Sequence, residues 1–351
     1  MKRPNYREVI ITVGIVVLIY ATLLLILIKL EVGAPDANIQ DAEDALWYLT
    51  ETLTTVGYGD LLPVTPWGRI IGFVFLLSSF GVYGFIIGQI ANFMSTVKEH
   101  KEMGLYGTSF KNHVVIIGWN EFAKSVIDHL IGAGRQIAVI TKDKASIDII
   151  REYYGTEQVF ILYSDYNNFE LLEKARVKEA NIVFINLADD TEKLVYIINA
   201  KKHFVNSNFV VTLENGNLKS TFQSAGVTYA ISKNEISSKL LASYIYEPDV
   251  AFLSEEIIAY AHEAHEYDMK QFLVKGDNPF SGVPYEKAFF DLKKQCNVVL
   301  FGIVKNSKGE KKLIKNPMEN VLIETGDYLI MLLDGDGSTK LKRLFHIEEG
   351  V

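Results

Sequence analysis

Two stretches of the chain run without a charge for about the length an α-helix needs to cross a bilayer. Val9 to Ile28 (VIITVGIVVLIYATLLLILI) is the first and Ile70 to Met94 the second; at about 1.5 Å of rise per residue, roughly 20 apolar residues cover the hydrocarbon. After Lys98, charged and apolar residues alternate as in a soluble protein. Between the two runs, residues 44–55 (DALWYLTETLTT) place apolar and aromatic side chains at helical spacing, with Asp44 expected as N-cap. They are too few to span a membrane. The pattern predicts a short helix that dips into the bilayer and returns through irregular backbone, tolerated only where protein shields it or it lines water. Residues 44–62 are thus expected as a re-entrant loop, with TTVGYGD (54–60) on the returning limb.

The remainder has a different period. Residues 99–111 (EHKEMGLYGTSFK) form a polar, glycine-containing linker, and HVVIIGWNEFAKSVIDHLIGAG then gives an apolar β-run, a turn at Gly118 and a helical pattern. IAVIT (137–141), VFILYSD (159–165), NIVFINL (181–187), FVVTLE (209–214) and TYAIS (228–232) follow as short β-rich runs separated by helical patterns. Strand alternating with helix predicts a doubly wound parallel sheet, with ligands at the carboxyl ends of its strands. ISSKLLASYIYEPDVAFL (236–253) is apolar on more than one face, which suits a helix pair inserted into a neighbouring subunit.

Length and charge refine this picture. A chain of 351 residues makes two or three domains. Lys2, Arg3 and Arg7 precede the first run, as in a signal peptide, but the run is longer than a usual signal core and lacks a small-residue cleavage site before Lys29. No Lys or Arg lies between Leu30 and Gly68, while Glu31, Asp36, Asp41, Glu43 and Asp44 crowd the connecting loop, and Lys98, His100 and Lys101 follow the second run. The positive-inside rule therefore places both termini in the cytoplasm. Cys296 is the single cysteine, so no intrachain disulfide forms. The net charge of -8 argues against a nucleic-acid partner. Neither span carries an arginine ladder, so voltage dependence is expected to be weak.

With TVGYGD between two spans, residues 1–98 resemble the pore unit of a two-transmembrane potassium channel. The resemblance makes Thr55, Val56, Gly57, Tyr58 and Gly59 the selectivity filter. Carbonyl oxygens of Thr55 to Tyr58, with the Thr55 hydroxyl, can replace the water shell of K⁺ when four copies surround one axis. Gly57 and Gly59 allow backbone angles that strain a residue bearing a Cβ. The short helix would aim the negative end of its dipole at the central cavity, and the outer acids would raise the local cation concentration. In the proton-gated branch of that family, residues matching Trp47, Glu51 and Asp60 support the filter, and Glu51 and Asp60 pair behind it. Two carboxyl groups in a poorly hydrated place do not both ionise cheaply, so one is expected to stay protonated and bond the other, favouring filter collapse. A merely polar, water-facing Glu51 is the alternative.

In the second span Gly81, Gly84 and Gly88 fall near one helix face, where small residues permit bending or close packing. Both readings stand. The hinge glycine of related channels matches Ser79 here, so the bend would move to Gly81 or Gly84, with Phe80, Tyr83 and Ile87 lining the cavity and inner mouth. Gln89 and Asn92 sit where high-conductance relatives carry acidic rings, which implies modest conductance.

The dinucleotide fingerprint is degraded. Gly118 holds its first glycine position, Asn120 and Ala123 replace the second and third, and Thr141 stands where an acid would bind ribose, with Asp143 two positions on. Residues 112–346 as a whole resemble a two-lobed RCK domain, the regulator of K⁺ conductance, through the strand–glycine turn, Ser164-Asp165 and Ala225-Gly226-Val227. A small C-terminal lobe with VVLFGIVK (298–305), YLIMLL (328–333) and Gly326-Asp327 also matches. The calcium-gated archaeal type that the chain resembles implies an octameric gating ring, half of it from free RCK subunits begun at a Met-Gly-Leu matching Met103-Gly104-Leu105. Positions matching that type's principal calcium site are Asn186, Thr212 and Glu214, a set with one carboxylate. Asp189 and Asp190 are near enough to compensate, or simply begin a solvated helix. In AHEAHEYD (261–268), His262 and Glu266 at i, i+4 would share a helix face and meet one divalent ion, unless the segment is a solvated polar helix joining the lobes.

The expected fold is a helical membrane pore of two spans and a re-entrant helix, fused to a Rossmann-like RCK N-lobe and a small α+β C-lobe. Its expected parts are pore 1–98, linker 99–111, N-lobe 112–235, helical crossover 236–266 and C-lobe 267–346. The expected function is a homotetrameric K⁺ channel of the plasma membrane, not an enzyme, gated by Ca²⁺ or by a nucleotide such as NAD or an adenine nucleotide. A membrane-tethered nucleotide-binding enzyme is the rival; it needs no TTVGYGD, and the chain has no intact GxGxxG to serve it.

Overall fold

The structure is a computed structural model and describes residues 6–261, 263–307, 310–318 and 321–346. It divides into two compact units, residues 1–99 and 100–351.

The first unit holds three helices, α1 (Tyr6–Glu31), α2 (Ala42–Leu53) and α3 (Pro66–Glu102). Both α1 and α3 are long and apolar enough to cross a membrane. α2 begins one turn earlier than expected, because Asp41 caps it: its Oδ1 accepts from Glu43 N–H at 2.8 Å and Asp44 N–H at 3.0 Å. Asp44, the expected cap, instead accepts from Gln40 N–H at 2.9 Å, reaching back to the residue before the cap. Leu27, Ile39, Tyr48, Leu49, Ile71 and Phe75 form the core that binds α2 to both long helices.

Glu31 departs from expectation more sharply. Grouped by sequence with the exposed loop acids, it is 0 % exposed. Its carboxylate accepts from Val64 N–H (2.9 Å), Thr65 N–H (3.1 Å) and the Thr65 hydroxyl (2.6 Å), joining the end of α1 to the start of α3. Close approaches of Glu31 and Tyr48 account for two glycines of α3. A Cβ at Gly68 would lie 2.0 Å from Glu31 Oε1, and one at Gly72 would lie 2.4 Å from the Tyr48 hydroxyl.

The second unit opens with the parallel sheet foreseen from the sequence. Its strands are β1 (Val114–Ile117), β2 (Ile137–Thr141), β3 (Val159–Tyr163), β4 (Ile182–Ile185), β5 (Phe209–Leu213) and β6 (Tyr229–Ser232), in the order β3-β2-β1-β4-β5-β6. All five pairings are parallel. Helices α4 (Glu121–Gly132), α5 (Ala145–Tyr153), α6 (Phe169–Leu172), α7 (Asp190–His203) and α8 (Lys219–Ser224) connect them. β1, β2 and β5 are almost wholly buried because apolar cores cover both faces of the sheet. The strand order reverses between β1 and β4, which puts the crevice of a doubly wound sheet at their carboxyl ends.

Residues 99–111 are not a free linker. α3 runs on through Glu102, and the following segment is hydrogen-bonded along the N-lobe: Tyr163 N–H to Met103 O at 3.0 Å, Thr108 N–H to Lys174 O at 3.0 Å and Asn112 N–H to Glu179 O at 2.9 Å. Gly104, at φ 74°, fits because a Cβ there would lie 2.1 Å from Ile161 O. Arg151 clasps the end of α3, donating from Nη2 to Glu102 O at 2.6 Å.

The expected helix pair is present as α9 (Lys233–Tyr246) and α10 (Pro248–Ile258). It stops short of AHEAHEYD, because Ala259 is extended at the C-cap and residues 263–265 form a bend and a turn. The C-lobe is a four-stranded antiparallel sheet, β7 (Asp268–Leu273), β8 (Val299–Ser307), β9 (Glu310–Lys315) and β10 (Tyr328–Leu333), in the order β7-β10-β8-β9. Helices α11 (Tyr285–Cys296) and α12 (Gly335–Phe345) pack against it. Neither β7 nor β9 was expected from the sequence, since DMKQFL and EKKLIK are too polar to read as strands away from their neighbours.

His113, just before β1, is fully buried, with Nε2 2.9 Å from Ala175 O and Nδ1 without a partner. Burial pushes its pKa below the ordinary histidine value, against the raising effects of the Ala175 carbonyl and Glu179 and with the lowering effect of Arg176. A folded-state pKa below the unfolded one means that the unfolded chain binds more protons, so stability is lost as pH falls below about 6.5. The fall in thermal unfolding temperature between pH 7.5 and pH 5.5 is therefore expected to be smaller in His113→Asn than in wild type; equal falls would contradict this.

Candidate functional site

The TTVGYGD loop is built by backbone handedness. Thr55 (φ 55°), Gly57 (φ 60°) and Gly59 (φ 76°) are left-handed, and Val56 and Tyr58 between them are not. Alternating hands turn successive N–H groups to one side of the strand, which leaves the carbonyls on the other. The hydrogen bonds follow that segregation. Val56 N–H and Gly57 N–H donate to Glu51 O at 3.0 and 3.4 Å, and Tyr58 N–H donates to Glu51 Oε2 at 3.1 Å. Glu51 thus takes three consecutive filter N–H groups, and its side chain is 4 % exposed. The water-facing alternative for Glu51 is overturned, because the carboxylate is the acceptor the turn requires.

Trp47 and Asp60 hold the outer half. The Trp47 and Tyr58 rings stack at 6.1 Å, and Trp47 Nε1–H donates to Asp60 Oδ2 at 3.2 Å. Asn38 completes the brace: its amide donates to Asp60 O at 2.7 Å and accepts from Leu62 N–H at 3.1 Å. No sequence signal marked Asn38. Glu31 had one, since a carboxylate in the last turn of a helix opposes the macrodipole and needs donors elsewhere.

In α3, Ser79 is buried with its hydroxyl on Leu76 O at 2.6 Å, while Phe80 and Ile87 are exposed in the single chain and Tyr83 is half-buried. Cβ atoms at Gly81, Gly84 and Gly88 would meet nothing within 4 Å. Close packing inside one chain therefore does not account for these glycines, in contrast with Gly68 and Gly72.

The nucleotide candidates lie at the carboxyl ends of β1, β2 and β3, each occupied locally. Gly118 (φ 98°) allows the turn, since a Cβ there would lie 2.4 Å from Asn186 O. Asn120 caps α4 through Ala123 N–H at 2.9 Å and also accepts from the Asn186 amide at 2.8 Å, so the helix start that a pyrophosphate would use is already capped. Thr141 Oγ1 accepts from Asp143 N–H at 3.1 Å. Asp143 accepts from Ser146 Oγ at 2.7 Å and Ala145 N–H at 3.1 Å, bonds that hold its carboxyl below the usual range. Ser164 donates to Asp165 O, and Asp165 accepts from Asn167 N–H, both at 2.8 Å.

The calcium candidates come together only in part, and the donors do not suit the ion. Asp189 caps α7 through Thr191 and Glu192 N–H at 2.8 and 3.1 Å, and those two bonds lower its pKa. Asp190 accepts from Lys193 Nζ (2.9 Å), Glu214 N–H (3.1 Å) and Asn215 N–H (3.0 Å). Burial raises its pKa, but these donors outweigh burial and the net direction is down. Glu214 pairs with Lys233 at 3.0 Å. Calcium takes about six to eight oxygens, whereas Asn186 presents its amide nitrogen to Gly118 O and Asn120. Of the second metal reading, Glu266 lies outside any helix, with its N–H on Glu263 O at 3.2 Å, and His262 lies outside the described residues. Among the described residues no group of three His, Cys, Asp or Glu side chains is placed to hold a metal.

The pieces define a class: a filter-bearing two-span pore followed by a Rossmann-type regulatory domain. Residues 10–96 match the ion channel family and residues 114–233 match the TrkA-N domain. Together the two matches give the chain the domain order of the two-transmembrane potassium channels that carry a C-terminal RCK domain, which it resembles. It is 25 % identical over 307 residues to the calcium-gated potassium channel TvoK of Thermoplasma volcanium, covering 84 % of this chain and 83 % of that one. The human SLO3 gating ring aligns with 67 % of this chain and 46 % of its own length, at 12 % identity and a TM-score of 0.51, a likeness of fold. A solved GsuK channel bound to NAD aligns with 98 % of this chain at 12 % identity and a TM-score of 0.40; the chain spans 60 % of its length.

Because Glu51 grips Tyr58 N–H and interacts electrostatically with Asp60, removing it should release the pull on the filter. Glu51→Ala and Glu51→Gln are both expected to slow inactivation during sustained depolarisation several-fold, Gln less because it keeps an acceptor. Macroscopic currents from reconstituted channels check this, and an unchanged or faster time course would contradict it.

Proposed function

We propose that four copies of this chain form a K⁺-selective pore in the plasma membrane, with both termini cytoplasmic, opened by ligand binding to the RCK domains. The observation that carries this proposal is the segregation of the filter peptides, with N–H groups taken by Glu51 and carbonyls free on the opposite side. Oxygens arranged in this way around one axis can replace the water of a dehydrated K⁺. The chain acts as a conduit rather than a catalyst.

Gating follows from the way α3 ends. Its last turn is clasped by Arg151, and residues 103–112 are bonded to the N-lobe. A rearrangement of the RCK ring would pass to α3 through that segment, and α3 would bend at Gly81 or Gly84, where an added Cβ would meet nothing within 4 Å. The ring is octameric, drawing further RCK subunits from a start at Met103. Its ligand binds at the carboxyl ends of β1 to β4 and is a nucleotide in preference to Ca²⁺, since those ends are polar and the calcium donor set is poor. It can shift the gate only by its difference in affinity between the closed and open rings.

Purified protein in liposomes is expected to carry a barium-sensitive K⁺ flux that excludes Na⁺ and depends on one member of a panel of NAD⁺, NADH, adenine nucleotides and divalent cations. No K⁺ flux under any of them would overturn the proposal.

A further inference from the structure

Where β5 ends and α7 begins, the protein supplies its own cation. Lys193 is 1 % exposed, and its ammonium lies 2.9 Å from Asp190 Oδ1 and 2.8 Å from Thr212 O. Asp190 Oδ2 accepts in turn from the N–H groups of Glu214 and Asn215 at 3.1 and 3.0 Å. One buried ion pair thus ties the first turn of α7, the last residues of β5 and the loop beyond into a single clasp. A buried ammonium persists only with partners of this kind, because leaving it unpaired in a low-dielectric interior is strongly unfavourable.

The clasp occupies the place where the resemblance to calcium-gated channels would put a metal. Thr212 and Glu214 both touch it, Thr212 Oγ1 is buried with no partner, and Asp190 carries the carboxylate on the ammonium. Every donor that Asp190 can satisfy is already in place, and a divalent ion added beside the ammonium would meet like charge at short range with little water between. We propose that Lys193 is a tethered substitute for a metal: it holds the β5–α7 junction in the arrangement a bound cation would impose and makes this junction indifferent to Ca²⁺. The proposal rests on the ligand-gated reading above and sharpens it, since the ligand must then act at another place on the strand ends.

The test measures metal binding by the full-length channel in detergent, with Mn²⁺ followed by electron paramagnetic resonance and Ca²⁺ as competitor. Wild type and Glu214→Gln are expected to give the same Mn²⁺ isotherm, because no ion binds at the junction. Lys193→Met keeps the length of the side chain and removes the charge, so it should gain one saturable site, competed by Ca²⁺, at roughly 10⁻⁵–10⁻³ M. A saturable wild-type site that Glu214→Gln removes would overturn the proposal, and so would a folded Lys193→Met that gains no site. If Lys193→Met does not fold, the comparison of wild type with Glu214→Gln decides alone. Liposome flux against the ligand panel separates this from the gating reading: a wild-type channel indifferent to every soluble ligand would refute gating while leaving the isotherms to decide on Lys193.

Discussion

The filter depends on one residue satisfying three backbone donors. Three adjacent N–H groups on one side of an extended strand need acceptors, and in a membrane water cannot supply them. Glu51 does so with its own carbonyl and its carboxylate, from the last turn of a helix that Asp41 starts and Tyr48 and Leu49 anchor. With the donors engaged, the carbonyls of Thr55, Val56, Gly57 and Tyr58 would be left for an ion under the proposed function. The braces around the loop serve the same end. Trp47 and Asn38 hold Asp60, and Glu31 holds the start of α3 against the end of α1.

The second unit begins with a segment that is itself hydrogen-bonded to the parallel-sheet lobe. Met103 bonds to β3, and Thr108 and Asn112 bond to the segment after α6. At the carboxyl ends of β1, β2 and β3 the polar side chains are satisfied internally. A ligand must therefore exchange existing hydrogen bonds for its own, and the gating energy is the difference between the two sets.

Much of this was legible in the sequence. The lengths of the apolar runs gave the two spans, and the short apolar runs IAVIT and YLIMLL matched β2 and β10 residue for residue. What escaped was set by long-range contact. Glu31 looked like a loop acid because its donors lie more than thirty positions away at Val64 and Thr65. β7 and β9 are strands only because β10 and β8 pair with them. AHEAHEYD carried helical spacing, but α10 ends before it. Lys193 was overlooked although Tyr196, Ile197 and Ala200 on the buried face of α7 flank it, and that period was the signal.

Potassium binding by the non-conducting, detergent-solubilised tetramer tests the account most directly, because it interrogates the carbonyls without requiring the gate to open. In isothermal calorimetry against a background of Na⁺, the account predicts a saturable K⁺ isotherm and no matching heat when Na⁺ replaces K⁺ in the syringe. Indistinguishable isotherms for the two ions would contradict it.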